Sequence, residues 1–153
     1  MPTFAKGDFL QGLEGANPNH LLLFTANSVL TRSGALVMGA GAARALRDRI
    51  PGVDRVLGRR LAAAGAPAVY GLLVVRGRRI RIGAFQTKRH WREPSDLELI
   101  RLATRRLLAY LEDHPEVRRV DLNFPGVGLG GLSERTVRPI LEALPPFVHV
   151  WKL

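Results

Sequence analysis

Leu21-Leu22-Leu23-Phe24-Thr25 is a short apolar run bounded by Asn17-Pro18-Asn19 and by polar residues after it, which predicts a buried strand. Val69 to Val75 and Arg79 to Phe85 flank Arg76-Gly77-Arg78, and the second arm alternates apolar with charged residues, so the pair predicts a hairpin. Val117 to Phe124 and Phe147 to Trp151 add two strands, for a sheet of about five or six. Gly41 to Arg49 predicts an alanine-rich helix that stops before Pro51-Gly52, and Asp54 to Ala64 predicts one ending at Gly65. Ser95-Asp96-Leu97-Glu98 has the form of a capping box. Behind it, Leu97, Ile100, Ala103, Leu107, Leu108 and Leu111 share one helical face. A last helix follows Ser133, with Pro139 implying a kink or a late start. Strands interspersed with helices predict a three-layer α/β/α domain over residues 1–153, its sheet covered on both faces.

In such sheets ligands bind beyond the carboxyl ends of the strands, where loops lead into helices. Stretches with unusual chemistry follow Phe24, Phe85 and Phe124. In the first, Gly39-x-Gly41 opens a helix, whose free N–H groups suit an anion, although a glycine-rich helix entry packed on the sheet is the more ordinary explanation. In the third, Gly126-x-Gly128-x-x-Gly131 has dinucleotide-fingerprint spacing, but the strand that should end in an acid about 20 residues on is missing: Phe147 to Leu153 holds no Asp or Glu. What remains is a second loop open to phosphate.

Composition narrows the choice only at some points. The 46% hydrophobic and 24% charged residues are ordinary for a globular fold, and no apolar run reaches the roughly 20 residues of a membrane span, so a cytoplasmic protein without membrane contact is expected. Without cysteine there is neither disulfide nor thiolate metal site. His20, His90, His114 and His149 are scattered at no metal-ligand spacing, and neither metal nor cofactor is expected. Glu93, Asp96 and Glu98 fit the dipole and cap of a helix start better than an acid–base pair. The formal charge is +10 and lysine stands only at positions 6, 88 and 152 among 23 basic residues. Arginine excess fits a nucleic-acid partner, and it also fits biased genomic composition or life at high temperature. Lys88 is a chance surface residue or a group chosen because, unlike arginine, it can deprotonate and act as a nucleophile.

Gly7-Asp8-Phe9, Thr25-Ala26-Asn27, Val37-Met38-Gly39-Ala40-Gly41-Ala42-Ala43 and Phe124-Pro125-Gly126-Val127-Gly128-Leu129-Gly130-Gly131-Leu132, in this order, resemble a macro domain, the α/β fold with a mixed central sheet that binds ADP-ribose. Phe85-Gln86-Thr87-Lys88-Arg89-His90-Trp91-Arg92, with Ser95 and Leu97, resembles the branch containing antitoxins of DNA-ADP-ribosylating toxins and, more distantly, the terminal ADP-ribose glycohydrolases. The resemblance implies that Asp8 accepts from the adenine amino group beside the Phe9 backbone, and that Asn27 faces the distal ribose. The backbones of Gly39 to Ala42 and Val127 to Leu132 would hold the diphosphate and distal ribose. Thr25, Met38, Thr87, Pro125 and Gly126 would complete the ligand-binding set, with Lys88 and Asn27 catalytic. Lys88 would attack the anomeric carbon as the neutral amine, helped by Arg89 or Arg92. The aspartate of the glycohydrolase loop has no counterpart in Leu129-Gly130-Gly131, which favours the antitoxin branch. The implied function is binding of ADP-ribose or an ADP-ribosylated macromolecule, as a hydrolase of terminal ADP-ribose on a nucleic-acid base or protein side chain, or as a reader without turnover. A nucleic-acid-binding protein with purely structural glycine loops is the remaining alternative, and the oligomeric state is open.

Overall fold

The computed structural model describes residues 1–153. Strands β1 (Thr3–Lys6), β2 (His20–Ala26), β3 (Leu72–Arg76), β4 (Arg81–Gln86), β5 (Arg119–Asn123) and β6 (Val148–Lys152) form one sheet in the order β1-β6-β5-β2-β4-β3. Only the β3–β4 hairpin is antiparallel, so the sheet is mixed. Helices α1 (Gly41–Arg49), α2 (Val53–Ala63), α3 (Leu97–Asp113) and α4 (Glu134–Leu141) cover it. No helix is long and apolar enough to cross a membrane.

β2 lies between β5 and β4 and is buried from both sides, which is why it reads as an unbroken apolar run. Leu21 and Leu23 join a core with Ile100, Leu107, Val137 and Leu141 of α3 and α4. Leu22, Phe24 and Ala26 point the other way, into a core with Leu46, Leu57 and Leu61 of α1 and α2. A short 3-10 turn, Phe9–Leu13, covers the second face where α1 and α2 do not reach.

β1 is the strand absent from the hydrophobic pattern. Its four residues sit at the sheet edge, and its register with β6, Thr3↔His149 to Lys6↔Lys152, joins the two ends of the sequence. α3 is capped by Asp96, whose Oδ1 accepts from Glu98 N (2.8 Å), rather than by Ser95. Either residue satisfies the capping pattern, and the helix begins at Leu97, which puts Asp96 and not Ser95 at the cap position. α4 starts directly after its cap Ser133 and runs through Pro139. A proline so near the end removes one backbone bond while only two further residues continue the helix, so no late start is needed.

Because β5, β2 and β4 are parallel neighbours, their carboxyl ends at Asn123, Ala26 and Gln86 lie side by side. The β2–β4 ladder runs to Ala26↔Gln86, whereas the β2–β5 ladder stops at Leu23↔Leu122. From β2 the chain goes to α1 on one face; from β4 and β5 it goes to α3 and α4 on the other. Adjacent strands whose connections leave to opposite faces create a crevice at their carboxyl ends.

Candidate functional site

The floor of that crevice is made by side chains that replace missing ladder bonds. Asn123 Oδ1 accepts from Thr25 N (3.0 Å) and its Nδ2 donates to Thr25 Oγ1 (3.0 Å), bridging β5 and β2 past the end of their pairing. On the other side Ala26 O accepts from both Thr87 N (3.0 Å) and Lys88 N (3.3 Å). Gln86 is fully buried and uses its whole amide: Oε1 accepts from Tyr70 N (2.8 Å) and Gly71 N (3.0 Å), while Nε2 donates to Ala68 O (2.7 Å) and Lys88 O (3.0 Å). Lys88 is therefore held at both its N–H and its carbonyl, and its side chain enters no ion pair.

The loop after β2 is equally tied down. Asn27 Nδ2 donates to Val37 O (3.1 Å) and its Oδ1 accepts from Val29 N (2.9 Å), closing the excursion onto itself. Tyr70 Oη donates to Asn27 O (2.7 Å); burial pushes this phenol well above the ordinary tyrosine range, so it remains a donor. The excursion then packs on α2 across Gly58, where a Cβ would collide with the Gly34 carbonyl oxygen. It ends at Ala40, which caps α1 with no side-chain hydrogen bond and leaves the helix's first N–H groups open.

The loop after β5 needs its glycines for two reasons. Gly126, Gly128 and Gly131 have φ of +80°, +64° and +78°, in the left-handed region. Gly130 has no such φ, but a Cβ there would collide with Ser95 Oγ. Leu129, 76% exposed, reaches toward the first loop, its Cδ1 3.6 Å from where a Gly41 Cβ would stand. The two glycine loops and the Lys88 loop thus border one open cavity of about 880 Å3, a size typical of small-ligand sites.

No protein-family model matches the sequence, and no curated protein does. Solved structures do. The macrodomain of Mycobacterium tuberculosis DarG is 26% identical, with a TM-score of 0.74 over 100% of this chain and 98% of that one. The macrodomain of Thermus aquaticus DarG is 29% identical, with a TM-score of 0.70 over 99% and 96%. Thermosipho africanus DarTG, solved in complex with ADP-ribose, shares the fold at 20% identity and a TM-score of 0.73, with 97% of this chain and 41% of that one covered. The chain has the macrodomain fold.

The cavity wall includes Thr25, Asn27, Gly39 to Ala42, Thr87 and Lys88 among the residues singled out from sequence, and from the last loop Gly126, Val127, Leu129, Gly130 and Gly131. Others stand apart from it. Met38 and Phe9 are buried in the α1–α2 core, and Leu132 packs against the α3–α4 core. Pro125 is buried, and Gly128 is exposed and does not line the wall. Asp8 is exposed and caps the 3-10 turn, its Oδ1 accepting from Leu10 N (2.9 Å). Arg89 Nη1 pairs with Asp96 Oδ2 at 3.1 Å. Arg92 lies over the Trp91 ring, 4.8 Å from its centroid, and both border the cavity.

The fold also brings to the wall residues not assigned to the site from sequence: Asn123, Glu93 and Ser95. Glu93 lies in the turn before α3 and not in its first helical turn. Its signal was Pro94, which disfavours helical backbone in the residue before it. Nothing in the local sequence marks Asn123, because its role comes from the divergence of two strands far apart in the chain.

Proposed function

We propose that this macrodomain binds ADP-ribose and hydrolyses terminal ADP-ribosyl groups from a nucleic-acid base or protein side chain in the cytoplasm. The observation that carries the reading is the meeting of two side-chain-poor loops, one ending in an uncapped helix, with Lys88 on a single cavity. Open N–H groups at a helix start suit a diphosphate, and the glycines let it approach. Gly39 supports this most directly. It has neither a left-handed φ nor any atom within 4 Å of a would-be Cβ, so the fold itself does not require a glycine there. Asp8 would hold the adenine beyond the wall with the Phe9 backbone, and Asn27 would face the distal ribose. The neutral Lys88 amine would attack the anomeric carbon as its bond to the carrier breaks, the proton lost by the alkylated nitrogen passing through water to the leaving atom; a water would then add to the anomeric carbon, releasing ADP-ribose and restoring the amine. The +10 charge and Trp91, 46% exposed at the rim beside Arg92, favour nucleic acid as the carrier.

A reader without turnover is the second reading, favoured by the absence of any carboxylate in Val127 to Leu132. Calorimetry with free ADP-ribose and release assays on ADP-ribosylated DNA and protein separate the cases. Micromolar binding, turnover by the parent, and turnover abolished in Lys88→Ala with affinity retained are the expected results. Binding without turnover in the parent assigns the reader, and no binding discards both.

A further inference from the structure

Ser95 is 8% exposed and borders the cavity. Its backbone is the joint between two of the three loops: Ser95 N donates to Gly130 O (2.9 Å), and the next residue, Asp96, donates from N to Thr87 O (2.8 Å). One residue step therefore links the second glycine loop to the loop carrying Lys88. The hydroxyl is a separate matter. A capping role would have consumed it, but the structure gives the α3 cap to Asp96. Ser95 Oγ has no hydrogen-bond partner in the protein, and it is not sealed either, since the only side-chain polar atom both sealed and unpartnered is His20 Nδ1. An unpartnered oxygen that keeps access to space, on a nearly buried residue of the wall, is open to a partner that the protein does not supply.

The second glycine loop comes closest to this hydroxyl at Gly130. A Cβ on Gly130 would collide with Oγ, and one on Gly126 would stand 3.5 Å from Ser95 Cβ. The glycines that leave backbone bare for a ligand thus also let a serine hydroxyl come down onto that backbone. We propose that Ser95 is a ligand-contacting residue, its hydroxyl donating to an oxygen of the ribose-diphosphate portion held by the second glycine loop. The inference rests on the ADP-ribose reading above and adds to it a side-chain donor at the seam between binding loop and reactive loop.

The test is Ser95→Ala, measured by calorimetry with free ADP-ribose and by thermal melting without ligand. A hydroxyl that bonds only to ligand predicts a Kd raised about tenfold or more, with the ligand-free Tm unchanged or higher, because no bond inside the protein is lost. A serine serving only the fold predicts the reverse, a lowered Tm with affinity within twofold of the parent, and that result overturns the inference. Unchanged values of both overturn it as well. If the parent binds ADP-ribose and Ser95→Ala binds equally, only this inference falls; if the parent does not bind, the ADP-ribose reading falls with it.

Discussion

At Gly39 an added Cβ meets no atom within 4 Å, whereas at Gly58, in α2, it would collide with the Gly34 carbonyl oxygen. One glycine borders the cavity and the other holds a helix against a loop. Gly39→Val is expected to leave unfolding stability within about 0.5 kcal/mol of the parent. The same change should weaken ADP-ribose binding about tenfold or more, because its methyl groups stand where ligand would lie. Gly58→Ala should destabilise by about 1–3 kcal/mol through backbone that cannot give way easily. Urea denaturation beside calorimetry checks both; equal stability losses would remove the distinction. Gln86 belongs to the same scale. Truncating it to alanine leaves Tyr70 N, Gly71 N, Ala68 O and Lys88 O without their partner, and a loss of at least about 2 kcal/mol follows from burying such groups unpaired.

Among the elements, α3 shows what sequence can and cannot decide. Its apolar face is legible because burial repeats at helical spacing: Ile100, Ala103, Leu107 and Leu111 are all buried. Its cap is not, since Ser95 and Asp96 are both good capping residues and the local pattern suits either. Asp96→Ala should accordingly cost about 1 kcal/mol in urea denaturation, the ordinary value of an N-cap. The lost pair with Arg89 adds little, being exposed. The three loops at the strand ends were legible for the same reason as the strands: each follows a hydrophobic run. Asn123 and edge strand β1 were not, because a four-residue edge and a bridging amide take their meaning from partners on another strand. Local pattern reports burial, and pairing across the sheet leaves no local trace.

Across the whole molecule the two ends of the sheet are built oppositely. The carboxyl ends open into the cavity; at the amino end of β4 the guanidinium of Arg81, completely buried, closes the structure. Its Nε donates to Pro18 O (2.9 Å), Nη1 to Tyr110 Oη (2.9 Å), and Nη2 to Asn19 Oδ1 (3.3 Å) and Glu116 Oε2 (3.2 Å), joining the turn before β2 to α3 and the turn before β5. Burial opposes the charge on Arg81, and the bonds to Tyr110 and Glu116 outweigh it, leaving the guanidinium held above its ordinary range. The Glu116 carboxyl is held below the ordinary range, first by its own backbone N–H and then, against some desolvation, by Arg81. A carboxyl lowered in the folded state adds stability at pH above its unfolded value, about 4.3 for glutamate, and that stability is lost as pH falls through the folded value. Melting curves from pH 7 to 3 should therefore show a decline beginning near pH 4 that is shallower in Glu116→Gln, whose side chain does not titrate. Five residue steps along β4, roughly 17 Å, separate Arg81 from Gln86 at the cavity end. Affinity for ADP-ribose at pH 7 should accordingly be the same in Glu116→Gln as in the parent. An affinity that moved with this substitution would mean that the sheet transmits strain from its closed end to its open one, and that the two ends do not act independently.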